Sequence, residues 1–369
     1  MADTVRAVGP PEPGVVGVVA APERRRRRSG PLVALVLLGV LYTLYFARAL
    51  VVPIVLAVLL DFLLKPLVRA LRRVGLPEAA GAAIVVLGSL GLVAAATYQL
   101  AEPAREWLAT APTKLRQATD RLRTVSRPLE GLNRTAHQVQ QVAREANDTT
   151  TREVAVKGPP LSAKLLGGAQ AFITSALEVV ILLYFLLASG DLFLQKLIKL
   201  LPQLSDKKTA VAIARETETA VSTYLVTLTL INLGVALAVA GVLALIGLPS
   251  PLLWGALAGL AEFVPYVGAT VMVALLSLAG LATFDHLGHA LLVPGAYLAV
   301  NFLQANVLSP LLHGRRLALN PVAIFLAVLL CWWLWGVLGA FLAVPLLATV
   351  KIFCDHLERL APVGEFLGR

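Results

Sequence analysis

The chain has 369 residues, of which 58% are hydrophobic and only 15% charged. That composition excludes an ordinary soluble enzyme and indicates an integral membrane protein. A net charge of +10 would suggest nucleic acid as the partner of a soluble chain. Here Arg and Lys gather at the ends of apolar runs and in one polar insert, so membrane topology accounts for them and no nucleic-acid partner is expected.

Taken in order, residues 1–30 are rich in Pro, Gly and Val and end in Arg24 to Arg28, as expected of a disordered basic tail held in the cytoplasm. Ala47-Arg48-Ala49 has the form of a signal-peptide cleavage site, but the preceding basic region is long and the apolar run resumes at Leu50, so cleavage is not expected. Two spans follow, 31–47 and 49–66, turning near Arg48, and the second runs into Lys65, Arg69, Arg72 and Arg73. A third span, Ala79 to Leu100, is rich in Gly and Ala, which lets helices approach closely. These three spans form a region 31–100.

Residues 101–162 are the one large polar insert. Leu108, Leu115, Leu122 and Leu129 recur every seven residues, with Ala111, Ala118, Val125 and Leu132 three positions later, the pattern of an a/d seam. Pro112 and Pro128 interrupt it, so short packed helices are expected, serving either intrachain packing or an oligomer contact. A core transport region, 163–353, starts with a fourth span (Leu165 to Ala188) that contains Glu178. A basic amphipathic stretch follows with Lys196, Lys199, Lys207, Lys208 and Arg215, predicting a pair of surface helices drawn to anionic lipid. A fifth span runs from Tyr224 to Ile246, and a tail, 354–369, closes the chain.

The stretch 250–283 is apolar nearly throughout yet carries Glu262, Pro265, Tyr266 and Gly268 in its middle. As one helix it would be roughly 50 Å long, against a hydrocarbon core of about 30 Å. Pro265 lacks its N–H and Gly268 frees the backbone, so two short helices are predicted to meet at a broken centre. Such backbone survives at membrane depth only where protein or a watery cavity satisfies it, and broken helices mark the substrate site of many secondary transporters. Two ordinary segments joined by a surface loop are the alternative. Residues 287–309 form a further span, ending at the turn His313-Gly314-Arg315-Arg316. The stretch Pro321 to Phe353 is again too long for one span, with Gly336 and Gly339 interrupting it.

Charge supports a broken segment. Five spans from a cytoplasmic N-terminus put Pro249 outside. If 250–283 crossed once and 287–309 crossed back, Arg315 and Arg316 would lie outside, against the positive-inside rule. A re-entrant 250–283 returns them to the cytoplasm, and a second re-entrant hairpin at 321–353 leaves Lys351 and Arg359 there too. Hairpins entering from opposite faces suit an inverted arrangement with a midplane site.

These motifs jointly resemble the autoinducer-2 exporter family of bacterial transporters, also called PerM-like permeases. The residues that carry the likeness are Leu201-Pro202 after Gly190-Asp191, Glu262-Phe263-Val264-Pro265-Tyr266-Val267-Gly268, and Gln304-Ala305-Asn306 with Pro310. Leu319-Asn320-Pro321 and Gly336-x-x-Gly339 followed by Ala343-Val344-Pro345 complete the set. The likeness covers roughly 30–360. It implies a polytopic, homo-oligomeric permease of the bacterial inner membrane, moving a small polar solute or signal molecule, while the charge pattern puts both termini in the cytoplasm. Some members resemble sodium/proton antiporters, so a cation is the alternative cargo. The family often has His before the Pro of the last turn, where Asn320 stands, so no role is given to a His there.

Polar residues inside apolar runs can serve function or merely packing. An ionisable group in a span costs at least about 2.5 kcal/mol and is usually functional. Glu262 is therefore the sharpest pathway candidate, suited to proton or cation coupling; capping the freed backbone is its alternative role. Glu178 could act similarly or simply bond a neighbouring helix. Tyr297, Asn301 and Gln304 fall at i, i+4 and i+7 on one helical stripe, which can line a path or glue helices together. Asn306 is a further pathway candidate through the Gln304-Ala305-Asn306 motif of the resemblance, and Asn232 reads as structural. Gly336, Gly339, Pro345, Pro310 and Pro321 are the candidate hinges and backbone breaks. Asp285, His286 and His289 fit a solvated turn better than a metal site, and the two cysteines, Cys331 and Cys354, show no metal or disulfide spacing. Trp332, Trp333 and Trp335 read as an interfacial or packing cluster.

No H-E-x-x-H, G-x-S-x-G or P-loop pattern occurs, so neither an enzyme, nor direct ATP drive, nor a cofactor is expected. The expected fold is all-α: a polytopic transmembrane protein with broken, re-entrant helices and a small helical insert. A non-transporting membrane scaffold is the competing class.

Overall fold

The computed structural model describes residues 30–130, 161–190, 192–199, 204–308, 311, 319–357 and 360–368. The chain divides into two units, Met1–Thr43 and Leu44–Arg369. Of the first, the described part is the start of helix α1 (Gly30–Phe46), an apolar helix without acidic or basic residues.

The second unit is helical among its described residues, with one isolated bridge, Leu319 to Gly368. Five helices are long and apolar enough to cross a membrane: Arg48–Arg73, Glu78–Thr110, Lys207–Ile246, Leu287–Leu308 and Pro321–Asp355. Helices α2 (Arg48–Arg73), α3 (Glu78–Glu130) and α4 (Leu161–Ser189) share a core of Ala57, Val68, Ala82, Val86, Val179, Leu183 and Leu187. A short basic helix α5 (Leu192–Lys199) leads to α6 (Leu204–Ile246).

Helix α6 ends where Gly247 takes φ +85, and Leu248 N–H bonds back to Leu243 O at 3.0 Å. A left-handed residue is what a closing cap of this kind requires, and glycine adopts it without strain. Helix α7 (Pro251–Ala261) then runs back along α6 at backbone contact. A Cβ added at Gly255 would stand 2.3 Å from Ala236 O, and one at Gly259 would stand 2.7 Å from Asn232 O. This is small-residue packing of membrane helices. After a break at 262–266 the chain returns as α8 (Val267–Thr283). The first turn of α8 crosses the end of α7 so closely that a Cβ at Gly268 would fall 1.8 Å from Ala261 O. Beyond it, Phe284 stacks on His289, whose Nε2 lies 3.1 Å from Ile246 O. The segment therefore begins and ends beside Ile246, as a hairpin does and a crossing helix does not.

Helix α9 (Leu287–Leu303) continues as a π-helical turn, Gln304–Leu308. Helix α10 (Pro321–Asp355) opens with Asn320 Oδ1 accepting from Val322 N–H at 3.0 Å, a cap that fits Pro321 at the first helical position. It is broken at Gly336, φ 67 and ψ −144. Its halves fold together: Val328 packs with Ala340 and Ala343, and Leu319 with Val344 and Ala348. A short closing helix, α11 (Ala361–Leu367), returns to the start of this hairpin, where Asn320 N–H bonds Leu367 O at 3.0 Å.

Helix α6 sets the relation between the two hairpins. The ends of the second lie near Glu216 and Tyr224, through His356 Nε2 at 3.2 Å from Glu216 Oε2 and a cluster containing Tyr224. The ends of the first lie at Ile246, about 45 Å further along the helix. The hairpins thus enter from opposite ends of α6. The second reaches deep, since Trp335 Nε1 donates to Leu44 O at 3.1 Å and Trp333 stacks on Tyr45.

The structure corrects several expectations. Helix α3 runs unbroken to Glu130, so Pro112 and Pro128 do not end helices; each removes one bond from a run rich in strong helix formers. Lys207, Lys208 and Arg215 belong to α6, not to a separate surface helix, because no glycine or proline separates them from the fifth span. Among the described candidate breaks, the backbone leaves the helical region at Gly336. Gly339 is helical and marks a close approach, where an added Cβ would stand 1.9 Å from Cys331 O. Pro345 lies within the helix and Pro321 starts it. Pro310, Arg315, Arg316, Leu201-Pro202 and the tail through Ser29 lie outside the described residues, as do the side chains of the seam from Leu115 to Leu132.

Candidate functional site

The break between α7 and α8 is built from its sequence. Pro265 offers no N–H, and Tyr266 takes φ 64 and ψ −47, a conformation costly for a non-glycine residue and typical of sites where surrounding structure enforces it. Local bonds hold it: Val267 N–H to Pro265 O at 2.7 Å, Gly268 N–H to Val264 O at 2.9 Å, and Thr270 Oγ1 to Tyr266 O at 2.8 Å. Among the described residues no backbone bond ends on the carbonyls of Glu262 or Phe263.

Glu262, half-buried at the last turn of α7, faces α9. Tyr297 donates its hydroxyl to Glu262 Oε1 at 2.8 Å, and Asn301 donates its amide to the same oxygen at 2.5 Å. Tyr297 is only 1% exposed. Tyr297 and Asn301 meet one carboxylate because they stand one turn apart on one helix face. Neither donor carries a charge, and among the described residues the carboxylate has no cationic partner. Such a group can take up a proton or cation, or accept from a hydroxyl or amide of a solute.

Apolar contacts join this tip to the flank of the second hairpin. Phe263 packs on Phe341 with ring centroids 5.2 Å apart, Tyr266 lies edge-on to Phe325 at 6.1 Å, and Val264 joins the Val328–Ala340–Ala343 cluster.

The structure brings together Glu262, Pro265, Tyr266, Gly268, Tyr297 and Asn301. Gln304 lies one turn beyond Asn301, half-buried at the start of the π-helical turn. Asn306 is exposed and bonds Phe302 O at 2.8 Å. Glu178 is apart from the cluster, on the exposed face of α4 opposite its packed side chains. Among the described residues no three His, Cys, Asp or Glu are placed to hold a metal ion.

The sequence model of the AI-2E family of transporters matches residues 34–359. The chain belongs to the AI-2E transporter family. Relatives of similar length support this. YhhT of Escherichia coli (strain K12) is 26% identical over 332 residues, covering 90% of this chain and 92% of that protein. MT0215 of Mycobacterium tuberculosis is 29% identical, covering 89% and 88%; both are named as candidate transport proteins. TqsA of Escherichia coli (strain K12), named an AI-2 transport protein, is 28% identical, covering 84% and 87%. This AI-2E family member is thus a multi-pass membrane protein of a transporter family.

Asp61 is a polar residue that the sequence pattern did not single out. It sits in α2, only 7% exposed, one turn from Lys65, whose ammonium lies 3.1 Å from Glu218 Oε2 on α6. The signal was present: an ionisable residue inside an apolar run with a cation four positions on.

Proposed function

We propose that this AI-2E family member is a secondary transporter of the bacterial inner membrane that moves a small polar solute or a cation, with Glu262 as its coupling group. The observation that carries this reading is a carboxylate at a helix break, oriented by Tyr297 and Asn301 and, among the described residues, without a cationic partner. Break and carboxylate lie where one hairpin tip meets the flank of another that enters from the opposite end. The Phe263–Phe341 and Tyr266–Phe325 contacts are apolar and non-directional, so the tip can slide or part without breaking specific bonds. A solute of the kind named for TqsA fits a site of hydrogen-bonding groups. Sodium/proton exchange is the second reading, favoured by the same carboxylate. The test is flux into vesicles holding the purified protein, under imposed proton and sodium gradients. Solute movement that responds to either gradient and is lost in Glu262→Gln supports the proposal; gradient-driven flux unchanged in that variant overturns it.

A further inference from the structure

Asn232 is 2% exposed, and neither its Oδ1 nor its Nδ2 has a hydrogen-bond partner. A buried amide left unsatisfied on both atoms is rare and calls for a specific reason. Its place in the fold supplies one. Gly255 approaches Ala236 and Ala240, whereas Gly259 approaches Asn232 and Ala236, so α6 and α7 run antiparallel with Asn232 beside the last turns of α7. Side chains on a helix lean toward its N-terminus. On α6 that direction is toward the C-terminal end of α7, so the amide leans past Gly259 toward the break.

Several acceptors gather at that break. Glu262 uses Oε1 for Tyr297 and Asn301, and its Oε2 takes no bond among the described residues. Among the described residues no backbone N–H bonds the carbonyls of Glu262 and Phe263 either. Several hard oxygens, one of them anionic, with no cluster of His, Cys or further carboxylates among the described residues, do not suit a transition metal. They suit a monovalent cation, for which the carbonyls of a broken membrane helix are recurrent ligands. We infer that Asn232 supplies an amide oxygen, together with Glu262 and the carbonyls of the break, to a sodium ion carried by the transporter. This rests on the reading of the break as the transport site.

The experiment uses the purified full-length protein and sodium chloride as the probe, with choline chloride at equal ionic strength as the control. Sodium is expected to raise the thermal midpoint of the wild type in a saturable way, and choline is not. Asn232→Leu, close in volume and free of unsatisfied polar atoms, is expected to fold at least as stably in choline and to need at least tenfold more sodium for half the rise. Asn232→Asp, which keeps the oxygen, is expected to retain the rise, and Asn232→Ala, which lacks it, stands in if the Leu variant does not fold. No sodium-specific rise in the wild type overturns the inference. A rise kept in Asn232→Leu but lost in Glu262→Gln overturns the role of Asn232 alone. Gradient-driven flux kept in Glu262→Gln overturns the underlying reading of the site.

Discussion

Tyr297 and Glu262 lie 35 positions apart in sequence, yet the phenol donates to the carboxylate at 2.8 Å, tying α9 to the tip of the first hairpin. Two roles for the carboxylate can be told apart. In coupling, Glu262→Gln keeps size and hydrogen-bonding capacity but abolishes titration, so flux should fall at least tenfold and lose its pH dependence while stability hardly changes. In capping, Gln should preserve flux, whereas Glu262→Ala should lose about 1–3 kcal/mol by leaving Tyr297 and Asn301 unsatisfied. Vesicle flux across a pH series, with unfolding midpoints for both variants, decides. Glu178→Gln is the internal control, and flux should survive it, because that side chain lies on the far face of α4.

The second hairpin depends on one glycine. Gly336 sits at φ 67 and ψ −144, a region that side chains avoid whatever space surrounds them. Gly336→Ala should therefore cost about 1–3 kcal/mol, visible as a lowered thermal midpoint. Gly88→Ala, at a helical position with nothing within 4 Å of the added methyl, should be neutral or slightly stabilising. Equal midpoints for the two variants would show that the break at Gly336 is not needed.

Much of this arrangement was legible because membrane length is a strict ruler. A 34-residue apolar stretch holding Pro265 and Gly268 could not be one span, and the structure breaks it there. The stripe of Tyr297 and Asn301 was legible from helical spacing, but its partnership with Glu262 is a tertiary contact that spacing alone does not fix. Gly339 was misread as a break because glycine serves two purposes, left-handed backbone and close approach, and only the fold shows which. Pro112 and Pro128 were over-weighted for a related reason: proline costs a helix a bond but need not end it. Asn232 read as structural because burial without a partner cannot be seen in sequence.

Hairpins make a topological prediction that crossing helices do not. Single cysteines at Ser250 and Asp285, in a background lacking Cys331 and Cys354, should both be labelled by a membrane-impermeant thiol reagent added outside intact cells. Cysteines at Asn320 and His356 should react only after the membrane is opened. Labelling of Ser250 and Asp285 from opposite sides would mean that 250–283 crosses the membrane once, whatever the folding of its backbone.

The last prediction concerns the ion pairs that tie α2 to α6. Glu218 receives Lys65 at 3.1 Å on one oxygen and Arg69 at 2.5 Å on the other. Lys65 and Glu218 are only 15% and 16% exposed, whereas Arg69 is 57% exposed. The two cations should therefore differ in weight. Arg69→Gln removes a solvent-screened partner and should cost about 0–1 kcal/mol. Glu218→Gln takes a carboxylate from a largely buried ammonium and should cost more. About 3–5 kcal/mol is the scale for breaking a fully buried pair, and the loss should fall toward its lower end because water still reaches the site. Replacing both partners, Lys65→Met with Glu218→Leu, removes both ions and should recover part of the loss, since apolar side chains of similar volume pack without the cost of desolvating ions. Thermal or chemical unfolding of the single and double variants measures the coupling. A double variant as unstable as Glu218→Gln alone would show that the pair holds α2 and α6 by more than mutual neutralisation.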